Sequence, residues 1–173
     1  MPEKEDVDDQ QALEHAREDE REGKAPSTQA GEFVREEMEH IREGKHGARS
    51  PQQAIAIGHS KARRAGVKLP PPKKGSAAVR QKAQRDLRKG RSGRRRKPSA
   101  TRSRAISRAL KREGRSAASS KSLARQAHRA ARARGPGARH RAALKAVRTK
   151  GKAGMKRAAQ KAARTRAAHR RAA

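Results

Sequence analysis

Four adjacent cations, Arg94-Arg95-Arg96-Lys97, stand between Gly93 and Pro98, where glycine and proline punctuate the chain and leave a loop. Guanidinium groups on such a loop grip phosphate oxygens through paired N–H donors, so the cluster reads as a phosphate clamp. In a eukaryote the same run would serve equally as a nuclear-import signal. Arg132, Arg134, Arg139 and Arg141 repeat the theme, as do Arg170 and Arg171. These ten residues are the candidate nucleic-acid contacts, chosen by charge density alone. After Pro98, Arg outnumbers Lys by 17 to 7, which favours forked phosphate contacts and insertion into narrow grooves. A GC-rich genome would produce the same bias.

The remaining chemistry-bearing residues are sparse. His40, His46 and His59 are among the histidines near carboxylates, and Glu36, Glu39, His40 and Glu43 share one helix surface. Zincin-type ligand spacing is absent, and dispersed histidines of this kind are expected to be solvated or interhelical, so no metal site is assigned. There is no Gly-rich phosphate loop, nucleophile elbow or acid pair in a walled pocket. Enzymatic activity is not expected, and no cofactor is implied. Cysteine is absent, which removes disulfides and thiolate metal ligands.

Charge organises the chain. Residues 1–43 hold fifteen acids against six cations, a net of −9, whereas residues 44–173 hold 42 Lys and Arg against Asp86 and Glu113, a net of +40. A polycation of that density binds polyanions favourably because counterions are released. Ile, Leu, Val and Phe together number 16 of 173 residues, far below the roughly 20% under which a highly charged chain is expected to be disordered. Most of the apolar fraction is alanine, which contributes little buried area but has the best helix propensity. The single aromatic, Phe33, leaves no stacking platform of the kind that reads unpaired bases. The chain starts with charges rather than an apolar leader, and no apolar run approaches the ~18 residues of a membrane span. A soluble, cytoplasmic protein is expected.

The elements that must carry these residues are helices. Residues 6–22 suggest a frayed acidic helix ending at Gly23. Ser27 or Thr28 caps a second helix running to Glu43 with Gly44 as its stop, and Ala30, Phe33, Val34, Met38 and Ile41 form its apolar stripe. A third begins with Ser50 as N-cap, Pro51 at the first position and Gln53 reaching back as a capping box. It carries Ala54, Ile55, Ile57, Gly58, Ala62 and Ala65 to Gly66, with Val67 and Leu69 beyond. The two apolar faces form an antiparallel hairpin, which at about 45 residues is marginal without a partner or a third helix. Pro70-Pro71-Pro72 then mark a domain boundary. Basic helices follow over residues 76–89, 99–113, 119–134, 138–150 and from Met155 onward, too poor in large apolar residues for a common core. Helix formation there is expected to accompany phosphate binding. A helix-turn-helix over residues 104–134, packed by Ile106, Leu110 and Leu123 across Gly114, is weighed and disfavoured by the long Arg115 to Ser120 connection. A loose repeat relates the stretches from Gly137 to Thr149 and from Gly154 to Thr165; chance within this alphabet explains it as well.

The segment from Glu32 to Gly66, EFVREEMEHIREGKHGARSPQQAIAIGHSKARRAG, resembles a family of small uncharacterised bacterial proteins. They share the acidic amphipathic helix, the Gly-Lys loop, the Ser-x-x-Gln-Ala-Ile-Ala-Ile-Gly pattern and Lys-Ala-Arg-Arg-Ala-Gly. The resemblance covers about a fifth of the chain and implies a bacterial source but no biochemical role. His59 falls where that pattern leads one to expect an apolar residue such as leucine. Beyond Pro72 the composition is similar to the tails of linker histones and bacterial histone-like proteins, with more Arg.

The expected fold class is mostly α: a small two-helix hairpin plus a largely exposed or disordered basic Ala/Arg/Lys-rich helical tail. Its parts are an acidic frayed or disordered head (1–26), the hairpin (27–69), a Pro-rich spacer and basic linker (70–98) and a polycationic tail (99–173). The function expected is sequence-tolerant DNA binding of a nucleoid-associated kind, with no membrane partner. RNA is the alternative polyanion. A protein-interaction adaptor, in which the hairpin binds a partner or a second copy and the tail localises it, is the alternative from another class. The acidic head is expected to fold back on the tail and compete with DNA.

Overall fold

A computed structural model describes residues 4–92 and 99–171, without the side chains of 4–8, 169 and 171. Its elements are α1 (Lys4–Arg21), α2 (Pro26–Glu43), α3 (Pro51–Arg64), α4 (Ala77–Ser92), α5 (Ala100–Lys111), a 3-10 turn (Arg115–Ala118), α6 (Ser120–Ala133) and α7 (Gly135–Arg171). Among the described residues there is no strand. The mostly-α expectation holds. The chain divides into two compact units, Met1–Gln126 and Ala127–Ala173, with the division inside α6.

The helix punctuation follows the side chains, with two differences. Ser50 caps α3, its hydroxyl accepting the Gln53 N–H at 3.3 Å. The Gln53 side chain reaches one residue further back than a capping box, accepting the Arg49 N–H at 2.9 Å. The N-cap of α2 is Ala25, not Ser27 or Thr28, and Pro26 opens the helix. Proline needs no N–H partner at that position, so the helix starts two residues early without a side-chain cap. At the other end Gly44 has φ 81°, and the N–H groups of Gly44 and Lys45 return to the carbonyls of Ile41 and His40. This glycine stop turns the chain back over the end of α2.

In the first unit the α2–α3 hairpin forms as expected but does not stand alone. Phe33 meets Ala62, Val67 and Leu69, and α1 covers them with Ala12 and Ala16. The expected frayed or disordered head is therefore corrected: α1 is a packed helix, and small alanines allow its close approach without advertising a core face in the sequence. A second cluster joins Met38, Ile41, Ala48 and Ala54 to Ala117 and Ala118 of the 3-10 turn, with Val34, Ile55 and Leu123 packed at its edge. Backbone bonds fasten that turn: Gly47 N–H to Leu110 O (2.9 Å) and Ala48 N–H to Gly114 O (3.2 Å). Arg42 Nε donates to Ala118 O at 3.1 Å. Residues 110–123 thus complete the hairpin's core rather than forming a helix-turn-helix, and Ile106 remains about half exposed.

The prolines do not end the packed region. Arg63, buried on α3, holds the returning chain by donating to Leu69 O (3.0 Å) and Pro70 O (3.1 Å). Beyond the prolines, α4 packs on α3. Ser60 Oγ donates to the buried Asp86 carboxylate at 2.7 Å. A Cβ on Gly90 would stand 2.1 Å from Arg63 O, so only glycine permits this approach. Gly58 does the same between α2 and α3, where a Cβ would lie 2.8 Å from Val34 Cα.

The second unit consists of the end of α6 and α7. α7 is broken at Gly151 (φ 62°, ψ 177°) into two helical stretches, near the punctuation expected between residues 150 and 155. No residue of this unit is buried among those described, consistent with its lack of large apolar side chains. The expectation of a disordered tail is nevertheless corrected: residues 100–111, 120–133 and 135–171 are helical, the outcome favoured by alanine, lysine and arginine, all strong helix formers.

Candidate functional site

The sequence-selected cations fall into three groups. Arg132, Arg134, Arg139 and Arg141 are exposed on α6, the α6–α7 junction and the first turns of α7, and Arg170 is exposed near its end. Arg171 ends α7. Arg94, Arg95, Arg96 and Lys97 lie outside the described residues. What the sequence reading missed on this surface is register. Arg141, Lys145 and Arg148 recur at four and three residues and, with Leu144 and Thr149, line an open groove along one face of α7. Spacing of this kind places cations in a row along a helix, which suits a regularly spaced phosphate backbone better than scattered charge does.

A second polar arrangement lies inside the first unit. Glu37 occupies α2 midway between Phe33 and Ile41, four residues from each, and its side chain is fully buried. Lys61 on α3 faces it, with Nζ 3.3 Å from Glu37 Oε2 and 3.0 Å from Asp9 Oδ1. Burial works against the Lys61 charge, yet Asp9 and Glu37 outweigh it and hold its pKa above the ordinary lysine value. On the other side the Gly44 turn returns His46, whose Nε2 stands 3.4 Å from Glu37 Oε1. Neither Glu37 oxygen makes a hydrogen bond despite these approaches. His46 Nδ1 lies 3.1 Å from Gly47 O, and His40 Nε2 lies 2.9 Å from Glu36 Oε1. The two imidazoles meet edge to face, with ring centroids 5.9 Å apart. Ligand atoms of Glu37, His40 and His46 all fall within 4.8 Å of one another.

The signal for this cluster is present in the chain: Glu37 and Lys61 sit at apolar-stripe positions of their helices. Charged residues there read as solvated only while the third helix and the return loop are unknown.

His59, at the unexpected polar position, is half-buried, and burial followed by the nearby Arg63 charge lowers its pKa from 6.5. The unfolded chain therefore takes up a proton that the folded chain resists. Stability is fully present above a pH of about 6.5 and declines as pH drops below it. His59→Leu should raise the melting temperature, and by more at a pH of about 5.5 than at about 7.5. An equal gain at both pH values would mean that His59 protonation is not coupled to folding.

The family model described as a family of unknown function (DUF6496) matches residues 25–74. That span holds α2, α3 and the return loop, and with them Glu37, His40, His46 and Lys61. No curated protein and no solved structure matches the chain.

Proposed function

We propose that this chain is a sequence-tolerant nucleic-acid-binding protein acting on DNA in the bacterial nucleoid, its basic helices neutralising backbone phosphates. The observation that carries the reading is residues 127–173, which contain sixteen Lys and Arg and no acid. Among those described, no residue of this stretch is buried. The stretch supplies its cations with no acid of its own, and polymeric phosphate binds so dense a run of charge favourably because each contact releases condensed ions. Bases are not read, since aromatic stackers are missing and contacts to phosphate carry no sequence information.

The first unit serves as the folded body that carries the basic helices. As an adaptor it has less to offer, because the apolar stripes of α2 and α3 are covered by α1 and by the 3-10 turn of the same chain. Three acids of α1 are paired within the first unit: Asp9 with Lys61, Asp19 with Lys24 and Glu20 with Lys68. Among the described residues no helix is long and apolar enough to cross a membrane.

Ultraviolet crosslinking in cells, followed by nuclease treatment of the purified adduct, tests the reading. Digestion by DNase is expected. Digestion by RNase alone would transfer the role to RNA, and an adduct absent under both conditions would contradict nucleic-acid binding.

A further inference from the structure

Glu37 has two buried oxygens without a hydrogen bond, and Lys61 accounts for the charge on one side of it. The Oε1 side faces His46 Nε2 at 3.4 Å. A neutral imidazole whose Nδ1–H donates to the Gly47 carbonyl turns a lone pair, not a hydrogen, toward that carboxylate. Between these two atoms there is a place for a cation, either a proton on His46 or a metal ion held by both. The separation suits a metal: ligand bonds of ~2.0–2.1 Å set about tetrahedral angles put neighbouring ligand atoms roughly 3.4 Å apart. His40 supplies a third ligand within 4.8 Å of the others, and the Glu36 carboxylate on its ring fixes its orientation. The Gly47 carbonyl behind His46 is the outer contact that metal-binding imidazoles use, and the Glu36 carboxylate would be the same for His40 ligating through its other nitrogen.

We propose that Glu37, His40 and His46 form a site for a divalent transition metal of the zinc class, entered from the return loop. Two imidazoles and one carboxylate select zinc or cobalt over the oxygen-seeking magnesium and calcium, and leave a fourth position for water. Lys61 stays on Oε2, keeping Asp9 as its second partner. The metal would clamp residues 45–49 to α2, and with them the two backbone bonds from Gly47 and Ala48 that hold the 110–118 segment. Its role would be to stiffen the first unit. The basic surface of the second unit takes no part in it.

The full chain, purified through chelator, is titrated with cobalt(II) alone and followed by its visible ligand-field band. One equivalent should saturate a band of four-coordinate intensity, zinc should displace it, and zinc should raise the melting temperature. His46→Gln should abolish the one-equivalent band while keeping a cooperative metal-free melt, since His46 lies in a loop rather than in a helix. Glu36→Gln should weaken binding by about 10–100-fold. Failure of the wild-type chain to take up one equivalent would overturn the site, as would unchanged affinity in His46→Gln. Should His46→Gln not fold, X-ray absorption of the cobalt-loaded wild-type chain decides: a two-imidazole shell supports the site, and fewer imidazoles overturn it.

Discussion

In the metal-free protein, Lys61→Met is expected to destabilise the first unit by about 3–5 kcal/mol, the usual cost of leaving a buried charge without its partner. Glu37 is fully buried and neither of its oxygens has a hydrogen bond, so with the ammonium gone the carboxylate must either stay ionised in a poor medium or take up a proton on folding. Asp9 would lose its partner too, but it is partly exposed and adds little. Because Asp9 and Glu37 raise the Lys61 pKa over the opposing effect of burial, the contribution is fully present below pH 10.5 and is lost only as pH climbs through the raised value. Urea titration near neutral pH measures it. Adding Glu37→Gln to Lys61→Met should recover most of the loss, since the double variant buries no unpaired charge. A single-variant loss below about 1 kcal/mol would show that water reaches Glu37.

The second large effect concerns the basic surface. Replacing Arg132, Arg134, Arg139 and Arg141 together with glutamine removes four exposed cations and leaves the helices, because glutamine is nearly as good a helix former as arginine. If each makes one phosphate contact, the salt dependence of DNA binding should become shallower by about 3–4, and affinity in ~0.1 M salt should fall on the order of a thousandfold. The loss should be the same for unrelated sequences, as expected of contacts that position without reading. A loss confined to particular sequences would instead reveal base contacts, and no loss at all would move the binding surface elsewhere.

The hairpin was legible because its signals are strong and local. Phe33, Met38 and Ile41 mark a face by their size, Ser50-Pro51 marks a start, and Gly44 marks a stop. The rest of the first unit is built from contacts that leave weak traces. Ala12, Ala16, Ala117 and Ala118 are core residues, but in a chain where alanine is everywhere their positions carry no contrast. Gly90 permits close approach to Arg63, and nothing in its neighbourhood distinguishes it from a flexible glycine. Three prolines read as a boundary because they stiffen the chain, yet a stiff connection can also return it, and Arg63 fastens the return. Glu37 and Lys61 were hidden by the ordinary rule that charge belongs outside, which fails where two opposite charges share one interior. On the basic surface Arg132, Arg134, Arg139, Arg141 and Arg170 are exposed, while the row Arg141, Lys145 and Arg148 lies inside a helix expected over 138–150 and was hidden because cations recur on most faces of it.

Attraction of the exposed cations to phosphate is the driving force of the proposed function. Titration of the intact chain with a mixed-sequence DNA duplex across a range of salt concentrations tests this most directly. With about ten phosphates neutralised, the logarithm of the binding constant should fall against the logarithm of salt with a slope near −9. A slope shallower than about −3 would contradict it.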